Sequence, residues 1–184
     1  MMAGPGIPAG HREDALVETV DIFPTVVEAA TGTRLPACPA DVHLSRETDA
    51  CTEGFSLMPL LQGKSAGRAF AVSQYPRSAP KEGSKGKHKY MGYTMRYDTY
   101  RYTEWVLFDF DTATADWSEG GFAGRELYNH TGAARVPLGT WEFESVNEAE
   151  DPANAALVQQ LHAKLVKCAQ RPQLVRVRRR MLGG

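Results

Sequence analysis

Three cysteines, five histidines and one Gly-Lys-Ser turn are the places where this chain could do chemistry. Cys38 and Cys51 lie thirteen residues apart in a polar stretch that contains Pro39. A disulfide closing such a loop would stabilise it by about 3 kcal/mol through lost chain entropy. Two unrelated thiols fit the same spacing. Cys168 falls in a helical pattern, where a thiol serves as a small buried apolar group. His11, His43, His88, His130 and His162 are scattered with no i, i+4 pair, so no zinc-type spacing arises. Gly63-Lys64-Ser65 resembles the end of a phosphate-binding loop, but the glycine required five positions earlier is Met58 and no strand leads into it. No G-x-G-x-x-G and no nucleophile-elbow motif is present. No catalytic residue and no metal ligand is expected in this chain.

Other patterns concern surfaces and modification. Asn129-His130-Thr131 is an N-glycosylation acceptor sequence, meaningful only for a secreted chain, as a disulfide also would be. Arg77, Lys81, Lys85, Lys87 and Lys89 stand against one acid, Glu82, in a Gly/Ser/Lys loop that is either a solvated flexible segment or a collector of polyanions. Glu142, Glu144, Glu148, Glu150 and Asp151 form an acidic run that reads as solvated surface. Arg171, Arg176, Arg178, Arg179 and Arg180 make residues 171–184 a basic tail expected to be disordered.

These residues need elements to hold them. At 184 residues and 42% hydrophobic content, the chain can build one ordinary domain, or a small domain plus part of another. The formal net charge of -1 points to neither nucleic acid nor a membrane surface as partner. No apolar run approaches the roughly 18 residues of a membrane span. The first residues carry no signal-peptide pattern and read as the start of a fragment.

The first helix is expected over about 22–31, with Asp21 as cap, Pro24 in its first turn and Gly32 as its stop. Ile22, Val26, Val27 and Ala30 form its apolar face. Residues 34–54 read as a cysteine-containing loop, and a short helical turn follows at 55–61. Residues 69–75 read as a strand that Pro76 ends. Residues 90–96 and 100–107, rich in aromatic and β-branched types and joined by Tyr97-Asp98-Thr99, form a hairpin. A loop over 109–124 leads to a short strand, Glu126-Leu127-Tyr128. Asp151 and Pro152 then open a helix with Leu157, Leu161, Leu165 and Cys168 on one face. The expected fold class is α+β: a small antiparallel sheet of three to four strands covered by a C-terminal helix.

Several stretches, in order, resemble the C-terminal part of iduronate-2-sulfatases. Residues 14–25 (DALVETVDIFPT) are similar to the segment leaving the large domain of sulfatases in general. Ser73-Gln74-Tyr75-Pro76-Arg77 is similar to the family's S-Q-Y-P-R. Met91-Gly92-Tyr93-Thr94-Met95-Arg96 with Tyr100-Arg101-Tyr102-Thr103-Glu104-Trp105 resembles its M-G-Y-(S/T)-x-R…Y-R-Y-T-x-W hairpin. Residues 126–130 resemble its final strand, and the cysteine loop ending at Cys51 resembles one of its disulfide loops.

The resemblance implies the C-terminal subdomain of an alkaline-phosphatase-like α/β sulfatase. Residues 1–66 would end the large domain, 67–170 would be the C-terminal subdomain, and 171–184 the tail. It implies hydrolysis of a sulfate ester on a uronic acid of heparan or dermatan sulfate, by a formylglycine made from the cysteine of C-x-P-x-R with Ca²⁺ neutralising the sulfate. None of the three cysteines begins C-x-P-x-R, so formylglycine and Ca²⁺ are expected in an N-terminal catalytic domain that precedes these residues. What remains here is one wall of the substrate mouth, assigned to Gln74, Tyr75 and Arg77; Arg77 would either pair with a carboxylate or sulfate or buttress a subdomain interface. The implied partners are that catalytic domain and a sulfated polysaccharide, and the implied location of the parent is lysosomal or secreted. Alternatives are a stand-alone polyanion-binding module using the basic loop, or a truncated product without function. The apolar face of the first helix is expected to lie exposed without a large domain.

Overall fold

A computed structural model describes residues 2–78, 88–131 and 141–170. The basic loop's lysines from Lys81 to Lys87 and the 171–184 tail lie outside the described residues. The chain divides into two compact units, Met1–Ala71 and Val72–Gly184.

In the first unit, α1 spans Ile22–Thr31 and ends on Gly32, whose left-handed backbone (φ 70°) suits a residue without a Cβ. Its start differs from the expectation. Asp21 makes no capping bond; its carboxylate is fully buried and turned to longer-range partners. Arg68 donates to it through both Nε (2.9 Å) and Nη2, and the backbone N–H groups of Phe55 (2.7 Å) and Glu18 (3.0 Å) donate as well. Thr25, one turn on, accepts from the Leu57 amide at 2.7 Å. Gly54 lies so close to this corner that a Cβ would sit 2.2 Å from the Val20 carbonyl oxygen, which excludes any side chain there. Cys38 and Cys51 are joined by a disulfide, and Ala37 bridges to Thr52 beside it. Within the stretch expected to be loop, Asp41 caps a short helix, α2 (Val42–Glu47), by accepting from the His43 and Leu44 amides. The helical turn α3 is confined to Met58–Leu61.

The apolar face of α1 is bare. Ile22, Phe23 and Val26 are 52%, 57% and 55% exposed, and Val17 and Val20 continue the stripe; Pro24 and Thr25 are the residues α1 buries.

The second unit is an antiparallel sheet with a helix on one face, the α+β arrangement expected. β1 (Phe70–Ser78) lies beside β2 (His88–Tyr97), which pairs with β3 (Tyr100–Asp109). The far side of β3 pairs with β5 (Phe122–Asn129) and, at its end, with the two-residue β4 (Thr114–Ala115). β1 runs through Pro76 instead of ending there, because an edge strand tolerates a residue without an N–H. β5 begins four residues before Glu126, and a β-bulge at Trp105/Val106 absorbs the register shift.

Side chains alternate across the sheet. Met91, Tyr93, Met95, Tyr102, Glu104, Val106 and Leu127 share the inner face and are buried. Over it lies α4 (Ala155–Ala169), entered through a 3-10 turn that Asp151 caps by accepting from the Ala153 amide. Val158, Leu161, Leu165 and Cys168 are its buried residues on the sheet side, with Val158 in place of the half-buried Leu157. Glu104, 1% exposed, accepts from the Tyr102 hydroxyl and pairs with His162 Nδ1 of α4 at 2.7 Å.

Asp21 carries a testable consequence. Burial alone would raise its pKa, but the Arg68 bonds and the two backbone amides hold it below the ordinary 3.8. A depressed folded-state pKa stabilises above the unfolded value and is lost as pH falls through the folded one. Asp21→Asn removes the buried partner of Arg68, leaving it Glu18 at 3.4 Å, and is expected to cost the first unit about 3 kcal/mol at neutral pH. Hydrogen exchange at the Phe55 amide should report that loss. The gap between wild type and variant should narrow as pH drops below about 4; a gap constant with pH would show that the carboxylate charge is not what holds the corner.

Candidate functional site

The sheet's outer face carries Thr94 and Arg96 from β2, Arg101, Thr103 and Trp105 from β3, and Glu126 and Tyr128 from β5. Trp105 is its centre. Its two cross-strand neighbours are both glycines, Gly92 and Gly124. A Cβ on Gly92 would lie 2.7 Å from the indole, so the ring rests directly on the β2 backbone. Its Nε1–H donates to Glu126 at 2.9 Å, and the Arg77 guanidinium sits 5.4 Å above the ring centroid.

Along the same face Arg101 donates to both Glu144 oxygens (2.7 and 2.9 Å) and to Thr103 Oγ1 (3.1 Å). It also stacks over Tyr128 at 4.8 Å and lies 3.6 Å from Glu126. Glu144 is thus no solvated member of an acidic run; it holds the 141–144 turn onto the sheet through a bidentate ion pair. His130, 8% exposed, stacks on Phe143 and lies 3.1 Å from Glu144. Burial, reinforced by Arg96, lowers its pKa and favours the neutral imidazole.

The three residues assigned to a substrate mouth sit on the edge strand β1. Arg77 faces outward over Trp105, and alternation puts Tyr75, 69% exposed, on the same side. Gln74 then points to the opposite side and is half-buried. So the fold brings Tyr75 and Arg77 together and separates Gln74 from them. Arg77 is exposed and, among the described residues, forms no ion pair with a carboxylate. Sequence reasoning passed over Trp105, Glu126, Arg101 and Glu144 as site residues. The alternation in β3 contained the signal for Trp105 and Arg101; the Glu144 pairing, across 43 residues, had none.

The carboxylates on this face are engaged, Glu126 by the Trp105 Nε1–H and Glu144 by Arg101. Among the described residues no group of three His, Cys, Asp or Glu could hold a metal ion. Cys38 and Cys51 are consumed in a disulfide, and Cys168, outside any disulfide, is buried. Tyr102, Glu104 and His162 form a linked set on the inner face, where burial and the adjacent Glu104 push the phenol pKa far up and keep it protonated. That set anchors α4. Asn129, the last residue of β5, accepts from the Thr131 N–H and hydroxyl.

Comparison with known proteins agrees with the motif reading. No protein-family model matches the chain. It is 34% identical to iduronate 2-sulfatase of Mus musculus over 127 residues, 60% of this chain and 22% of that protein. The match to the Homo sapiens iduronate 2-sulfatase has the same identity and extent. The chain therefore spans about a fifth of the length of the curated relatives it matches, and over that stretch it is iduronate-2-sulfatase-like.

The Trp105 seat can be tested by crowding it. Gly92→Ala should destabilise the second unit by about 1–3 kcal/mol, since backbone lies on one side of the new methyl and the ring on the other. Trp105→Leu alone should cost stability too, but in its background Gly92→Ala should be nearly neutral. Urea melts of the four proteins give the coupling energy, and additive costs would show that the ring does not lie on Gly92.

Proposed function

We propose that this chain is part of a sulfuric-ester hydrolase of the iduronate 2-sulfatase kind, and that it supplies one wall of the substrate mouth. The observation that carries this reading is Arg77, exposed and held over Trp105 in a chain 34% identical to iduronate 2-sulfatase over 127 residues. A guanidinium fork without a carboxylate partner among the described residues suits a sulfate or a uronate carboxylate bidentately. Tyr75 beside it offers a ring face and a hydroxyl to a sugar. The substrate class is a sulfated uronic acid of heparan sulfate, dermatan sulfate or a similar polysaccharide.

The chemical step belongs to a catalytic domain outside this sequence, where Ca²⁺ and formylglycine are assigned. The residues here do not fit either group: no described cluster could hold the metal, and no cysteine stands in C-x-P-x-R. The bare stripe of Val17, Val20, Ile22, Phe23 and Val26 is the surface we assign to that domain. A disulfide suits a lysosomal or secreted parent. No helix among the described residues is long and apolar enough to cross a membrane.

Two measurements test the reading. The purified chain with calcium should not turn over a sulfated aryl ester; calcium-dependent turnover would place the nucleophile here and overturn the division of labour. A heparin-derived tetrasaccharide should quench tryptophan fluorescence, and Arg77→Ala should weaken its binding about tenfold, roughly 1.4 kcal/mol. If Lys85→Gln/Lys87→Gln abolishes binding while Arg77→Ala leaves it intact, the basic loop is the receptor, and the chain is a polyanion-binding module instead.

A further inference from the structure

The Asn129-His130-Thr131 sequence plays no part in the substrate reading, yet the fold gives it a specific setting. We propose that Asn129 is an N-glycan attachment site. It is the only N-x-S/T sequence in the chain, and its middle residue is not proline. β5 ends on Asn129. His130 is pinned by its N–H, which donates to the Thr99 carbonyl at 2.6 Å, and its ring is buried. Its neighbours on either side are left at the surface, Thr131 exposed and Asn129 half-buried.

The amide of Asn129 is divided in its duties. Oδ1 accepts from the Thr131 N–H (2.9 Å) and the Thr131 hydroxyl (2.6 Å). Nδ2, the atom that would carry a sugar, donates no hydrogen bond among the described residues. Replacing one of its hydrogens with a sugar therefore breaks no hydrogen bond among the described residues. The Thr131 contact is with the carbonyl oxygen and survives the modification.

A second observation, in the other unit, points to the same cellular route. Cys38 and Cys51 are joined, and disulfides of this structural kind form in oxidising, secretory compartments, where N-glycosylation also takes place. The donor class is an oligosaccharide on a polyprenyl diphosphate. A bond forms between Asn129 Nδ2 and the anomeric carbon of the first sugar. The bond from that carbon to the diphosphate oxygen breaks, the lipid diphosphate leaves with its electron pair, and one Nδ2 proton is released. Asn129 stands opposite Tyr100, five residues along β3 from Trp105. That is about 17 Å at strand spacing, so a glycan leaves the outer face open.

The test is direct. The full chain is secreted from a eukaryotic host through an added leader and treated with peptide-N-glycosidase. We expect one glycan to be removed, with Asn129 converted to aspartate in the peptide that contains it. Asn129→Gln and Thr131→Ala should each abolish the glycan, and Thr131→Ser should retain it. Should either of the first two fail to be secreted, Thr131→Ser against wild type still reads occupancy at Asn129. Secreted, disulfide-bonded chain whose Asn129 peptide is unmodified would overturn the proposal, as would a glycan that survives Thr131→Ala. Saccharide binding and sulfatase activity do not enter this readout, so its failure leaves the proposed function untouched.

Discussion

A carboxylate in an apolar interior must be paired, and this requirement organises both units. Asp21 is fully buried and draws three separated stretches to one point: the turn at Glu18, the Phe55 amide after the cysteine loop, and Arg68 before the sheet. Desolvation of such a group costs several kcal/mol, which its partners must offset. Glu104 is the counterpart in the second unit. The Tyr102 hydroxyl and His162 meet its oxygen, so α4 is held to the sheet at one point by directional bonds as well as by Leu161 and Leu165. Apolar packing alone would allow α4 to slide; a buried acid with a fixed partner does not.

The parts of the fold legible in the sequence are those whose cause is local. The β2–β3 hairpin follows from alternating aromatic and β-branched residues, and its turn places Asp98 at φ 50°, a conformation Asp tolerates better than most. α4 follows from Asp151, Pro152 and the spacing of its leucines. α1 was legible in extent, but not in the role of Asp21. An aspartate before a helix is ordinarily a cap, and nothing nearby in sequence reveals an arginine 47 residues on. Pro76 was misleading for the opposite reason: its local rule is sound for a central strand, and only the topology shows β1 to be at an edge.

The site was legible in the same uneven way. The similarity to iduronate-2-sulfatases directed attention to β1, and the fold sorts those residues by strand parity, keeping Tyr75 and Arg77 on one face and sending Gln74 to the other. The seat beneath Arg77 depends on register: Trp105 fits because glycines flank it on both neighbouring strands. A glycine in a strand weakens it, so two of them at one rung mark a place where packing a ring outweighed strand propensity.

The contrast between the two sheet faces limits what this unit can contribute. The inner face has an acid, a phenol and an imidazole in contact, but they are turned against α4, and the phenol is held protonated. The outer face has the opposite character. Its carboxylates, Glu126 and Glu144, are bound to Trp105 and Arg101 and serve to stiffen it. Arg77, on an edge strand beside an exposed phenol, forms no ion pair with a carboxylate among the described residues. A cation held on a rigid aromatic seat loses little freedom when an anion arrives, which favours binding. Under the proposed function, a unit built this way would hold the charged substrate while the ester bond is broken by residues of the catalytic domain.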